Sequence, residues 1–371
     1  MKGVFLAIAF GFISISASFA QTSNDILNLL ISNKTISQEQ ADSIRAEAAI
    51  KQQEADANKK SFLVSASKQI QLSGFTQLRY QNLDLKNKID GFDIRRARLD
   101  FKGVISPYWG YKLQADFAGT PKIIDAYGEF KYNSYLNLTF GQFKVPFSLE
   151  NISSTSKLEV IDLSQVVEAL TGRSKDVIGN HNGNDIGIQL SGGFLKIKDK
   201  PLFDYYIGIF NGSGINISDK NENKSIAGRL VFHPTKGLDL GYSIYNGIDV
   251  FGTPALNHKR NRWGVELKYE LKQLSLRSEF IQGGDSDKER NGWYIQTGYY
   301  LIPQKLQMLF KYDTFDPNLS VYKDITTNYS VVVNYAFNAW ARIQTGYTFC
   351  EEQKGSNVDN NMGVIQFQIG F

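Results

Sequence analysis

From Lys68 to the last residue, apolar and polar side chains alternate with period two. Leu99, Phe101 and Gly103 alternate with Arg98, Asp100 and Lys102, and Val265, Leu267 and Tyr269 with Glu266 and Lys268. At the end of the chain Ile365, Phe367, Ile369 and Phe371 alternate with Gln366, Gln368 and Gly370. Successive side chains of a strand point to opposite faces, so this pattern reads as strand after strand with one apolar and one polar face. It predicts about sixteen of them, near 68–82, 92–105, 109–118, 123–133, 135–145, 184–192, 201–211, 223–232, 237–247, 260–269, 272–283, 292–301, 304–315, 324–336, 339–349 and 361–371. Each is near the length a tilted strand needs to cross a bilayer.

The connections decide between a soluble sandwich and a membrane barrel. Tight turns at Ser106-Pro107, Asn133-Ser134, His233-Pro234-Thr235, Ile302-Pro303 and Phe337-Asn338 fall at one end, and longer polar segments fall at the other. That asymmetry belongs to up-and-down membrane barrels, although the connection at 193–200 is longer than the rule expects. So many amphipathic strands cannot all bury an inner core, so the apolar face is expected to meet lipid and the polar face a water-filled lumen. The expected fold is all-β: a transmembrane antiparallel up-and-down β-barrel over residues 61–371, with both termini at the short-turn side. Gly370-Phe371 after an alternating strand resembles the C-terminal signal of outer-membrane barrels.

The beginning of the chain differs. Lys2, an apolar run from Val4 to Ile15, and Ser18-Phe19-Ala20 before Gln21 read as a cleaved secretory signal peptide over residues 1–20. Residues 21–60 are rich in Asn, Gln, Ala and charge, and Ser37-Gln38-Glu39-Gln40 resembles a capping box, which predicts a helical periplasmic extension. Its apolar points are sparse for a coiled-coil seam.

Composition narrows the function. Of 371 residues 42% are hydrophobic, and 19 Tyr, 25 Phe and 32 Gly with only 8 Pro favour strands. A formal charge of +4, from 41 Lys+Arg against 37 Asp+Glu, is spread along the chain and gives no reason to expect nucleic-acid binding. One cysteine, Cys350, excludes a disulfide framework and a Cys-based zinc site, and three histidines occur without a catalytic motif around them. No cofactor, metal or enzymatic activity is expected. His181 and Asp185 are near in sequence, but no nucleophile motif accompanies them.

With the apolar parity outward, the lumen set includes Arg79, Arg96, Arg98, Lys102, Lys112, Lys131, Arg229, Arg262, Lys268, Arg277, Lys311 and Arg342. Opposing them are Asp100, Asp116, Asp125, Glu129, Asp239, Glu266, Glu279 and Asp313. A net positive lining between low-dielectric walls concentrates anions, while cross-strand pairing of these same charges would merely stiffen the wall. Arg96, Arg98 and Lys102 form a short basic ladder; Arg95 falls on the other parity, at the membrane edge or at a bulge. The segment 146–182 is by far the longest connection and carries Ser153, Ser154, Lys157, Arg173 and Lys175, groups suited to oxyanions, together with Glu150, Glu159, Asp162, Glu168 and Asp176.

Ile94-Arg95-Arg96-Ala97-Arg98-Leu99, Tyr111-Lys112-Leu113-Gln114-Ala115-Asp116-Phe117, Asp125-Ala126-Tyr127 and Gly141-Gln142-Phe143-Lys144-Val145-Pro146-Phe147-Ser148-Leu149-Glu150 together resemble the phosphate-selective porin O and P family. The resemblance implies an outer-membrane porin in a Gram-negative type of envelope: homotrimers of sixteen-stranded barrels, inserted by the barrel assembly machinery and surrounded by outer-membrane lipid. It further implies passive passage of phosphate or related small anions through a narrow basic pore. Arg95-Arg96 match the family's early-strand arginines, and Lys157 and Arg173 stand where its inward-folding third loop carries cations. Passive, anion-favouring diffusion is therefore the expected function. General or sugar and oligosaccharide diffusion is the alternative, for which Phe75, Tyr127, Tyr245, Tyr294 and Tyr300 are the inward aromatics; a barrel enzyme stands behind both.

Overall fold

The computed structural model describes residues 27–33, 35–38, 40–41, 70–84, 89–197, 200–353, 358 and 360–371. The chain forms two units, Met1–Lys60 and Ser61–Phe371. In the first, residues 27–32 are helical. Further on, the Ser37 amide donates to Gln40 Oε1 at 2.9 Å and the Gln40 amide to Ser37 Oγ at 3.2 Å, the reciprocal pair of a capping box. The expected leader, and most of the expected helical extension, lie outside the described residues.

The second unit is a closed antiparallel barrel of sixteen strands, each paired with its neighbours in sequence and the last with the first. They are β1 Gln71–Leu83, β2 Gly91–Val104, β3 Trp109–Asp116, β4 Lys122–Lys131, β5 Asn137–Lys144, β6 Asn184–Ile197, β7 Lys200–Phe210 and β8 Ser225–Thr235. The second half comprises β9 Leu238–Phe251, β10 Leu256–Leu271, β11 Leu274–Asp285, β12 Lys288–Ile302, β13 Leu306–Asp316, β14 Thr326–Ala336, β15 Ala341–Glu352 and β16 Met362–Gly370. All sixteen predicted strands are present. Three connections are shorter than the sequence suggests. β6 continues to Ile197, where it pairs with Lys200, so the expected irregularity at 193–200 is a hairpin. β9 to β12 likewise run on past their apolar stretches, Leu256 pairing with Phe251 and Asp285 with Lys288.

Closure uses the chain end. β1 and β16 pair from Phe75 and Gly370 to Leu83 and Met362. Beyond them the Gly74 and Phe371 amides each donate to the other's carbonyl, at 3.1 and 3.0 Å. A Cβ on Gly74 would lie 2.6 Å from Arg98 O and 2.8 Å from Phe371 Cζ, so only glycine lets the terminal ring lie across β1.

The outward positions carry an exposed apolar band that includes Leu113, Ile188, Ile207, Leu230, Val265, Val331 and Ile365. Trp109, Tyr132, Tyr135, Phe337 and Trp340 are exposed toward the short-turn end, and Trp263, Trp293 and Phe349 toward the other. An apolar belt between two aromatic girdles is the surface a bilayer requires. Wall height is uneven: β3 and β5 have 8 residues and β10 has 16, roughly 27 Å against 54 Å of strand.

Candidate functional site

Between β5 and β6 the chain folds into the barrel, carrying α1, Leu149–Ile152, and α2, Gln165–Leu170. Wall carboxylates satisfy the orphan amides at the starts of both turns. Glu279 of β11 accepts from the amides of Leu149 at 2.8 Å and Glu150 at 3.0 Å, and from the hydroxyls of Ser148 at 3.2 Å and Tyr294 at 3.0 Å. Asp313 of β13 accepts from the Gln165 amide at 2.9 Å.

Apolar packing fixes the same segment. Leu158, Leu163, Val166, Val167, Ala169 and Leu170 form one buried cluster with the inward Phe210, Ala227, Tyr245, Ile281, Tyr294 and Phe315. Val160 and Ile161 form a second with Leu309, Val332 and Val364. The expectation of a wholly polar, water-filled lumen is therefore corrected. Near the long-loop end, inward positions are apolar and the loop covers them, because an inner core needs only one inserted segment and not a second sheet.

The loop's acids take up wall cations. Glu150 accepts from Lys311 at 2.8 Å, and Asp162 from Arg95 at 2.6 Å with Arg79 at 3.9 Å. Asp176 pairs with Arg260 at 2.9 Å, with Arg262 at 4.0 Å, and Glu159 with Arg277 at 3.3 Å. Burial alone would raise the Asp176 carboxyl, but the Arg260 and Arg262 guanidinia outweigh it and hold the group below its ordinary value. Glu159 also ends a chain of amides: Arg95 donates to Gln366 at 3.3 Å, Gln366 to Gln344 at 3.0 Å, Gln344 to Asn334 at 2.9 Å, Asn334 to Gln307 at 3.2 Å and Gln307 to Glu159 at 2.7 Å.

Most of the remaining lumen cations from the sequence are also paired. Arg98 meets Asp116 at 2.9 Å, Lys112 meets Asp125 at 2.6 Å and Asp100 at 3.4 Å, and Arg79 meets Asp93 at 2.6 Å. Arg229 pairs with Glu266 and Arg262 with Asp285, both buried. Lys268 pairs with Glu270 at 3.2 Å, as does Arg277 at 3.1 Å. Lys102, Lys157 and Lys175 are exposed. Ser153 Oγ donates to Leu149 O at 2.7 Å, and Ser154 shares a 2.9 Å hydrogen bond with Ser156.

Four cations are held differently: Arg342 of β15, which donates to Gln368 Oε1 at 3.1 Å, and the trio Arg96, Arg173 and Lys144. Arg96 donates to Gln77 Oε1 at 2.7 Å. Arg173 donates to Asn151 Oδ1 at 2.9 Å and Asn151 O at 3.1 Å, and Lys144 to the carbonyls of Asn151 and of Ser153, the latter at 3.2 Å. Among the described residues none of the three has a carboxylate within ion-pair distance. Lys144 feels the like charges of Arg173, Arg98 and Arg96, with Asp125 as the opposing one. Burial pushes the Arg173 guanidinium down to about 10, with Arg98 adding to the shift and Glu168 and Glu150 offsetting it. Beside them a cavity of about 300 Å³ is bounded by Arg98, Lys112, Lys144, Ser154, Thr155 and the aromatic Phe75, Tyr127 and Phe143.

Two placements depart from strict alternation, the first through a bulge. The register between β1 and β2 shifts at Gln77/Leu78, leaving Arg95 as the extra residue, so Arg95 and Arg96 both reach the lumen. In β5, Gly141 has φ 123° and a Cβ there would lie 2.3 Å from Ala126 O. Lys144, three residues on, turns in with the loop although strict alternation from Phe143 places it outward. His181 and Asp185 serve the backbone of the β7–β8 connection. The Ile215 amide donates to His181 Nδ1 at 3.2 Å, and those of Gly212 and Gly214 to Asp185 at 2.7 and 3.1 Å.

A sixteen-stranded closed barrel with an apolar belt, aromatic girdles and one loop folded into its lumen defines a porin-type channel of the outer membrane. The family described as phosphate-selective porin O and P matches residues 70–250 of the chain. An uncharacterized protein of Aquifex aeolicus (strain VF5) is 23% identical, the match covering 80% of this chain and 84% of that one. Among solved structures, the anion-selective porin from Comamonas acidovorans superposes with TM-score 0.62 at 11% identity, over 81% of this chain and 99% of that one. The trimer form of OmpT of Vibrio cholerae gives TM-score 0.55 at 12% identity, over 81% and 99%.

Proposed function

We propose that the protein is a passive porin favouring small anions, with phosphate and related oxyanions as the first candidates. The observation that supports this is the trio Arg96, Lys144 and Arg173, held by neutral oxygens; Lys144 borders the cavity beside the loop and Arg173 is buried. A cation already paired with a carboxylate has little field left for a permeant ion, whereas these three keep theirs. Their hydrogen bonds fix them in place, and passing anions meet attraction without a preformed, fully closed cage. Arg98 and Lys112 add donors to the same wall and bring their own neutralising Asp116 and Asp125.

The aromatic track that sugar passage would use is interrupted: Tyr245 and Tyr294 are covered by the loop. We extend the proposal to a homotrimer, inserted by the barrel assembly machinery after export through a cleaved leader at 1–20. The OmpT of similar fold has a trimer form. Single-channel recording in a KCl gradient tests the function: the reversal potential is expected near the chloride side. A potential at zero or toward potassium would refute it.

A further inference from the structure

We infer that the narrow section prefers organic anions, carrying an apolar body beside the charged head, over bare inorganic ones; this rests on the anion-favouring proposal above. The ≈ 300 Å³ cavity that Lys144, Arg98 and Lys112 border is also bordered by Phe75, Tyr127, Phe143 and Ile152. Phe75 lies under Arg98, with the guanidinium carbon 6.0 Å from the ring centroid, and Tyr127 meets Phe143 edge-on at 6.0 Å. Tyr127 and Ile152 stay partly exposed.

Elsewhere the inserted loop covers the inward apolar side chains of the barrel. Here it leaves a ring edge and an aliphatic side chain facing the passage, within one cavity of three cations. A hydrated phosphate ion gains nothing from such surface. A ligand with its own apolar area does, in proportion to the area taken from water. The acids on this lining do not oppose an anionic head: Asp125 is taken up by Lys112 at 2.6 Å and Glu129 by Lys131 at 2.7 Å. The space equals roughly ten waters at about 30 Å³ each, enough for a ring and its charged head.

Methylphosphonate and phenylphosphonate share one head group and differ only in the apolar body. Each is applied to the intact channel while the chloride current is recorded. Phenylphosphonate is expected to half-block at about tenfold lower concentration. Ile152→Ser and Tyr127→Thr, tested separately, are each expected to narrow that gap to about threefold. A variant that still conducts chloride is folded, and either one suffices. Equal block by the two phosphonates, with a chloride-side reversal potential retained, overturns this inference alone. A gap that neither variant moves also overturns it, because the preference would then lie elsewhere. A reversal potential at zero or toward potassium overturns the anion proposal itself.

Discussion

The two sides of the lumen carry the same kinds of residue and use them in opposite ways. On the covered side, β9 to β13, every inward cation meets an acid: Arg260 has Asp176 and Asp249, Arg262 has Asp285, Arg277 has Glu159, and Lys311 has Glu150. There the charges fasten the loop, and apolar side chains complete a core. On the open side, β2 to β5, Arg96 and Lys144 meet neutral oxygens, as does the buried Arg173 of the loop, and Lys144 borders the cavity. A basic residue on the lumen face is thus no guide to conduction until its partner is known. The partner decides whether the charge is spent on structure or left for solute.

The comparison can be broken most forcefully at Lys311. Lys311→Met strips Glu150 of its buried partner, and an uncompensated buried charge costs about 3–5 kcal/mol. The urea midpoint of the detergent-solubilised barrel should fall, and single-channel conductance should rise severalfold as the loop loosens. An unchanged conductance would mean the covered side does not depend on these pairs.

A smaller effect, on selectivity and not stability, is expected from the open side. Two unit charges about 5 Å apart at an effective dielectric near 20 interact by roughly 3 kcal/mol, and salt in the pore reduces that. Arg96→Gln with Lys144→Gln should therefore lower the anion-to-cation permeability ratio severalfold, read from reversal potentials, with the urea midpoint nearly kept. Arg98→Gln is the contrasting variant, since it sets the Asp116 carboxylate free and should lower the ratio partly by adding a negative charge.

Acid sharpens the contrast further. Asp176 is held below its ordinary value by Arg260 and Arg262, so its contribution to docking is fully present above the unfolded carboxyl value of about 3.9 and is lost as pH falls through its lower folded value. The extra current noise of Asp176→Asn over the native channel should therefore stay constant between pH 7 and 5 and vanish only below about pH 4, where the native Asp176 is itself protonated. A difference between variant and native channel that disappears already at pH 6 would mean Asp176 is not held low by the two arginines. The smallest effect belongs to the rim: Lys102→Gln, at an exposed position, should change stability by less than about 0.5 kcal/mol and leave the reversal potential in place.

The strands were legible because lipid on one side and a polar lumen on the other impose period two on each of them. The signal failed at 248–259 and 284–291, where β9 to β12 rise past their apolar stretches. Asn257, His258 and Lys259 need no apolar outward face there, so a strand looks like a loop. Lumen parity identified most wall cations by register but not their partners. Lys311 and Glu150 are 161 residues apart, and nothing local links them. The acids of the long loop read as a dilution of its basic character. In the folded chain Glu150, Glu159 and Asp176 neutralise the far wall, while Asp162 takes up Arg95 and Arg79 and leaves Arg96 and Lys144 to neutral partners. Lys144 was missed because it is the last residue of β5, where the chain turns into the lumen and the strand's alternation no longer sets the side chain's face.

The amide chain along β16, β15, β14 and β13 has a polarity of its own. A side-chain amide can face either way, but here a guanidinium that can only donate stands at one end and a carboxylate that can only accept stands at the other. Those two ends leave each intervening Gln and Asn a single orientation, so four neutral side chains act as one wire with a fixed direction. Their dipoles add across the barrel instead of cancelling, and the field they give lies transverse to the pore, drawn from Arg95 toward Glu159. Replacing Glu159 by Gln would set an amide N–H where the carboxylate now accepts from Gln307 or from Gln296, so one of those two donors would lose its acceptor.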